Sequence, residues 1–160
     1  MDLLQLINKA TNSHKETTSF LAKLKQKPPK NLDQTVTKIH EEVFEKTDCL
    51  QCGNCCRTTG PLLLPKDVEI LARYLKLKPG NFIEHYCRVD EDGDTIFKSM
   101  PCPFLGKDNF CSVYEFRPKA CREFPHTNRK KLYQINHLTI KNVAICPAAF
   151  DVVERLKKVI

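Results

Sequence analysis

The chain has 160 residues, nine cysteines, no tryptophan and a formal net charge of +7. A chain of this length can bury a modest core, so it does not need metal merely because it is small. No apolar run approaches the ~20 residues of a membrane-spanning helix, and the N-terminus shows no apolar segment typical of a secretory signal. We therefore expect a cytoplasmic protein whose thiols stay reduced.

The excess of basic residues raises the question of nucleic-acid binding. Lysine and arginine are spread along the chain among acidic residues, and the densest patch is Arg129-Lys130-Lys131. There is no Cys2His2 spacing, and aromatic residues do not alternate with basic ones. These features favour solvated helix faces, so nucleic acid is an unlikely partner by this pattern, although the sequence does not exclude it.

Two helices are predicted in residues 1–47. The first covers residues 2–27, which contain no glycine or proline and carry a stripe of inward positions, namely Leu3, Ile7, Ala10, Thr17, Leu21 and Leu24. Pro28-Pro29 ends it, and a second helix follows from Leu32 to about Lys46. We expect the two to form a hairpin that packs on the cysteine core or on a partner chain.

The middle of the chain alternates short helices with turns. Pro65 suits the first turn of a helix that reaches about Lys76. Pro79-Gly80 is expected to end this helix, with Asn81 capping a further short turn. Asp92-Gly93, between two β-prone runs, predicts a hairpin with a solvated turn.

The last third begins as a cysteine-rich loop. Pro118 is expected to open a short helix that carries Cys121. The apolar residues of 132–145 alternate enough to suggest a strand or two. Pro147 suits the first turn of a final helix, whose inward residues are predicted to be Phe150, Val153, Leu156 and Ile160.

Taken together, the elements predict an α+β fold. We expect a small, mostly helical domain with a short β element, organised around a cysteine-ligated metal centre and preceded by the helical hairpin. The predicted division is residues 1–47 for the hairpin and residues 48–160 for the cysteine domain.

The cysteine pattern carries the chemistry. Four thiols lie within eight residues, at Cys49, Cys52, Cys55 and Cys56, with Gly53 permitting a tight turn between them. Such density without an export signal favours metal binding over disulfides. Because successive side chains diverge, Cys55 and Cys56 are expected to serve different ions, or one of them to lie just outside the metal. Eight thiols permit two zinc sites or an iron–sulfur cluster, and the spacing does not separate zinc from iron.

Other residues near the motif have two interpretations each. Arg57, Arg117 and Arg122 either stabilise the thiolates or are simply exposed or paired with Glu115 and Glu123. Cys87 has no cysteine within ten residues and is expected to be a partly buried thiol rather than a ninth ligand. Among the histidines, His126 is the best candidate to replace a thiolate.

The combined motif resembles a known family. Cys-x-x-Cys-Gly-x-Cys-Cys from residue 49, Cys-Pro-Phe-Leu from 102, Cys-Ser-Val-Tyr-Glu-x-Arg-Pro-x-x-Cys-Arg-x-Phe-Pro from 111 and Cys-Pro at 146 are similar to the YkgJ-type cysteine-cluster proteins. The resemblance spans residues 49–147 and implies zinc or iron as the cofactor. It also implies eight ligands, namely Cys49, Cys52, Cys55, Cys56, Cys102, Cys111, Cys121 and Cys146.

Several functions remain open at this point. The first is a metal-binding protein that supports a protein partner. The second is an enzyme, either a metal-dependent protein-modifying enzyme or a redox iron–sulfur protein, since the resembling family includes flagellin lysine N-methylases. No catalytic residue can be placed from that resemblance. The common nucleotide-binding loops and HExxH are also missing, which argues against a self-sufficient nucleotide- or S-adenosylmethionine-dependent enzyme without excluding one.

Overall fold

A computed structural model describes residues 2–160, and the chain divides into two compact units. The terminal unit joins residues up to Asp48 to Pro125–Ile160, and the central unit is Cys49–Phe124. The predicted class is confirmed as mostly helical α+β with one two-stranded sheet. The division into residues 1–47 and 48–160 stays a prediction. No helix within residues 2–160 has the length and apolar character needed to cross a membrane.

The elements follow one another in this order. They are α1 (Leu3–Gln26), α2 (Leu32–Phe44), α3 (Cys49–Cys52), α4 (Asn54–Thr58), α5 (Pro65–Tyr74), α6 (Pro79–Tyr86), β1 (Cys87–Val89), β2 (Thr95–Phe97), a 3-10 helix (Tyr114–Phe116), α7 (Lys119–Glu123), a second 3-10 helix (Leu132–Ile135), α8 (Asn136–Val143) and α9 (Pro147–Val159).

In the terminal unit the C-terminal helix is the common packing surface. Helix α2 packs against α9, while α1 packs against both α8 and α9. Most of the predicted inward positions are buried, but two predictions are wrong. Ile7 is 52% exposed and Ile160 is 45% exposed, and Leu6 is fully buried on α1. The start of α1 is therefore rotated by about one residue from the predicted stripe.

The predicted strands in residues 132–145 are wrong, because this segment is a 3-10 helix followed by α8. Its buried residues are Leu132, Thr139, Asn142 and Val143. They follow one another at intervals of seven, three and one residues, which places them on one face of a helix. Two of the four are polar. The Asn142 side chain donates to the Pro125 carbonyl at 3.0 Å. Burial in this segment therefore does not follow the alternating apolar residues on which the strand prediction was based.

The central unit has its own core of aromatic and aliphatic side chains. Phe82 is fully buried, and the ring of Phe104 lies 5.5 Å from that of Phe97 and 5.1 Å from that of Tyr86. Cys102 and Cys111 pack against the edge of this cluster. The core therefore supports the backbone that carries two of the predicted ligands.

The predicted hairpin is present, with Cys87 paired to Phe97 across antiparallel β1 and β2. Gly93 in its turn has a positive φ of 82°, which suits glycine. The start of α6 was predicted wrongly. Pro79 is its first helical residue rather than a breaker, because a proline ring fixes φ near the helical value and the first turn needs no donor.

Asp67 joins two elements of the central unit. Its side chain is only 5% exposed. It accepts a hydrogen bond from Leu64 N at 2.9 Å and another from Lys119 N at 3.1 Å. Lys119 is the first residue of α7, so this buried carboxylate fixes the beginning of the helix that carries Cys121.

We predict that Asp67→Ala destabilises the protein by about 3 kcal/mol, because two backbone donors lose a charged acceptor inside the fold. Asp67→Asn retains one acceptor oxygen, so its free energy of unfolding should fall less than that of Asp67→Ala. Urea unfolding of the three proteins measures the difference. Equal midpoints for wild type and Asp67→Ala would show that the carboxylate does not support the fold.

His40 is a half-buried titratable group in the terminal unit. Its Nδ1 lies 2.8 Å from Thr127 Oγ1, and its ring stacks on Phe44 with centroids 4.2 Å apart. Burial lowers the pKa of His40 below its usual 6.5, and the charge of Glu41 opposes this only in part. The folded protein therefore binds the proton less readily than the unfolded chain.

We predict that stability falls as the pH drops through about 6.5 towards the lowered pKa of folded His40, since protons then bind preferentially to the unfolded chain. Above that range His40 should contribute no pH dependence. Denaturant unfolding between pH 5 and 7.5 tests this, with His40→Gln expected to flatten the curve. An unchanged slope in His40→Gln would assign the pH dependence to other groups.

Candidate metal centre

The first half of the cysteine motif is two short helical turns joined at one glycine. Helix α3 carries Cys49 and Cys52, and α4 carries Cys55 and Cys56. Between them Gly53 adopts φ 56° and ψ 11°, a left-handed conformation, and its N–H donates to the Cys49 carbonyl at 2.9 Å. Glycine adopts this conformation without steric cost, so the predicted tight turn is confirmed.

The side chains of the adjacent pair Cys55-Cys56 keep their sulfurs near one another. Their Sγ atoms lie 4.0 Å apart. With zinc–sulfur bonds of about 2.3 Å, two ligands on one tetrahedral ion lie about 3.8 Å apart. The separation of the two sulfurs is thus compatible with a single ion, and the expectation that they serve different ions, or that one of them lies outside the ligand shell, stays a prediction.

Backbone hydrogen bonds bring the second half of the motif to the first. Cys102 N donates to the Cys56 carbonyl at 2.7 Å. Leu105 and Cys111 form an isolated antiparallel bridge, and Ser112 N donates to the Phe104 carbonyl at 2.9 Å. The loop from Cys102 to Cys111 thus doubles back beside α4.

The thiols of this region influence one another's ionisation. Burial, together with the charges of Cys102, Cys56 and Cys111, raises the pKa of Cys121 to about 12, against the opposing charge of Arg117. Burial likewise raises the pKa of Cys102 to about 11, and it raises that of Cys111. These four sulfurs therefore lie close enough to repel one another when ionised.

Cys56 behaves differently from the other three. A hydrogen bond with the Cys55 thiol lowers the pKa of Cys56 to about 6, assisted by the charges of Arg57 and Arg117 and opposed by burial. It is therefore the thiol in this cluster that ionises most readily near neutral pH.

Arg117 is the arginine that faces most of the cluster. Its charge lowers the pKa values of Cys56, Cys111 and Cys121. The guanidinium is held 3.6 Å over the Tyr114 ring, with Nε donating to the Tyr114 carbonyl at 2.8 Å. These contacts place the Arg117 charge near the thiols, as the stabilising interpretation requires, and that interpretation stays a prediction.

Arg122 is placed differently. It donates to the Arg117 carbonyl and lines an open groove of about 510 Å³ together with Tyr74 and Phe116. The Arg122 charge is not among the causes of the pKa shifts of Cys56, Cys102, Cys111 and Cys121, and the two interpretations of Arg122 stay predictions.

The remaining predicted residues lie elsewhere. Cys49 is exposed on α3. Cys146 belongs to the terminal unit, where it caps α9 and its Sγ accepts from Ala149 N at 3.4 Å. Cys87 is 3% exposed in the apolar core, and burial raises its pKa, which fits the interpretation as a core residue. His126 lies in the terminal unit with φ 64°.

The donor set fits zinc or iron. All nine cysteines are thiols rather than disulfides, and soft sulfur ligands suit both metals. Over the part of the chain that the structure describes, no three cysteine, histidine or acidic side chains are already arranged around one point.

Sequence reasoning did not single out Asp67 or Asn109. Asp67 could have been found from its place three residues after Leu64, where an acid accepts from the first free amides of a helix. Asn109 has φ 64°, donates from Nδ2 to the Leu50 carbonyl at 2.6 Å and accepts from Arg57. Its only signal in the sequence is the turn-prone stretch from Gly106 to Asn109.

Comparison with known proteins gives one match. The model of the CxxCxxCC family, described as "Putative zinc- or iron-chelating domain", matches residues 48–144, and this description accords with the predicted zinc or iron. No curated protein and no solved structure matches the chain. The matched range covers the motif from Cys49 to Cys121, with its turn at Gly53 and its convergent thiols, and more than half of the chain: the protein belongs to the CxxCxxCC family.

Proposed function

We propose that the chain binds zinc or iron through its cysteine motif and that this is its biochemical function. The main observation behind the proposal is that Cys102 N donates to the Cys56 carbonyl at 2.7 Å, and that Cys56, Cys102, Cys111 and Cys121 lie close enough for the charge of one thiolate to raise the pKa of another. The full proposed ligand set keeps all eight predicted cysteines, namely Cys49, Cys52, Cys55, Cys56, Cys102, Cys111, Cys121 and Cys146.

Charge supports a cation at this place. Several thiolates close together repel one another, and a bound divalent ion supplies the attraction that overcomes this. Four thiolates around such an ion leave an excess of negative charge, which Arg57 and Arg117 offset. Arg57 is next to Cys56 in the chain and Arg117 acts on three of the thiols.

Zinc and iron imply different roles. Zinc held by four sulfurs supports structure or binding, whereas iron with sulfide supports electron transfer. Protein purified without oxygen or added metal distinguishes them by its zinc, iron and acid-labile sulfide content and its visible absorption. A protein partner for the metal-loaded chain remains part of the proposal, and copurification from cells is its test.

We predict that Cys52→Ser and Cys111→Ser each lower bound metal and melting temperature together, because a hydroxyl replaces a thiolate ligand and binding is coupled to folding. Metal analysis and thermal unfolding on the same preparations measure both effects. Cys87→Ala is the matched control, since it removes a thiol from the core and should leave metal content unchanged. Full metal content in both serine variants would contradict the assignment of these ligands.

We predict that Arg117→Gln weakens metal binding by about 10-fold, the lower end of the range for residues that support metal ligands. Competition against a chelator of known affinity measures it. Arg117→Lys keeps the charge but loses the planar group held over Tyr114, so its metal affinity should lie between those of wild type and Arg117→Gln. Arg122→Gln is the control and should bind as wild type does. Equal losses in Arg117→Gln and Arg122→Gln would show that position 117 has no special effect.

A further inference from the structure

We propose that Arg57 and Asn109 form a side-chain bridge that holds the Cys49–Cys52 turn closed and sets how fast bound metal leaves. The inference rests on the proposed function, because it assigns the control of metal release at the same site. We call these two residues the Arg57–Asn109 bridge.

The bridge joins both sides of the first turn of the motif. Arg57 Nη1 donates to the Cys52 carbonyl at 2.8 Å. Asn109 Nδ2 donates to the Leu50 carbonyl at 2.6 Å. The two side chains are joined to each other, since Arg57 Nη2 donates to Asn109 Oδ1. Two carbonyls of the turn are therefore held by one connected pair of side chains.

Asn109 comes from the other half of the motif. Its backbone sits in a closed turn in which Gly106 N donates to the Phe110 carbonyl at 2.8 Å and Asn109 N donates to the Gly106 carbonyl at 3.1 Å. The φ of 64° at Asn109 is one that asparagine tolerates better than most residues. Since Cys111 follows two residues later, the bridge ties the first group of thiols to the second.

Gly53 leaves the space that the bridge occupies. A Cβ at this position would lie 2.8 Å from Arg57 Nη1 and 3.0 Å from Asn109 Oδ1. The glycine thus serves two purposes: it adopts the left-handed turn, and it lets the guanidinium and the amide meet beside the turn.

The two short helices on either side of Gly53 bury little of their side-chain surface. Neither α3 nor α4 contributes a buried residue, and Cys49 is exposed. The first thiol of the motif is therefore accessible to solvent, while Cys52, Cys55 and Cys56 are half-buried. Opening this turn exposes bound metal to competing ligands, and the bridge opposes that opening with hydrogen bonds, one of them from a charged donor.

The test uses the full chain loaded with Zn²⁺, because zinc binds a given ligand set more tightly than Fe²⁺ does. Release into an excess of a chromophoric chelator is followed by stopped-flow absorbance. Asn109→Gly removes all side-chain contacts and suits the positive φ. We expect it to release zinc about 10-fold faster than wild type, which corresponds to the loss of one or two ordinary hydrogen bonds.

Two further variants separate the bridge from general loosening. Asn109→Asp keeps an acceptor for Arg57 but loses the donor to Leu50, so its release rate should fall between those of wild type and Asn109→Gly. Lys76→Gly, at another positive φ of 58° in the same unit, should release zinc at the wild-type rate.

The outcomes distinguish the two proposals. If wild type binds zinc and Asn109→Gly releases zinc at the wild-type rate, the proposal about the bridge is wrong, while the proposed metal site is unaffected. Equal acceleration in Asn109→Gly and Lys76→Gly also overturns the proposal about the bridge, because the effect would then come from the backbone. A wild-type chain that takes up no zinc or iron overturns the proposed function itself.

Discussion

The repulsion among closely placed thiolates is the constraint on which the rest of the central unit depends. Burial and the neighbouring sulfurs both disfavour ionisation of Cys121 and Cys102. A protein that places several buried thiols close together either keeps them protonated or places positive charge beside them. The protein does both in part: the Cys55 thiol, with Arg57 and Arg117, favours the Cys56 thiolate, while burial favours the protonated forms of Cys102, Cys111 and Cys121.

The fold meets this constraint with supports that lie outside the motif. Phe82, Phe97 and Phe104 provide the apolar surface on which the Cys102 and Cys111 segments rest. Asp67 fixes the start of the helix that carries Cys121. The Cys102 amide attaches the second half of the motif to Cys56. The supports are ordinary packing and hydrogen bonds, so ligands from distant parts of the sequence can meet without disulfides.

Much of this could be predicted from the sequence because local signals and global structure agree. Prolines at positions 65, 118 and 147 mark helix starts that the structure contains, and Asp92-Gly93 marks the hairpin. The thiol spacing identified the family. The features that could not be predicted depend on tertiary contacts. Thr139 and Asn142 are polar residues that are buried, so the apolar pattern of their segment did not indicate a helix. Asn109 donates a hydrogen bond to the Leu50 carbonyl, 59 positions away in the sequence.

We infer that thiolates of this motif hold a zinc or iron ion, and X-ray absorption at the metal edge identifies both the ion and its ligands. On protein purified without oxygen and without added metal, we expect a zinc or iron edge whose nearest shell is dominated by sulfur at about 2.3 Å. Bound metal surrounded only by oxygen and nitrogen, or no bound zinc or iron, would contradict it.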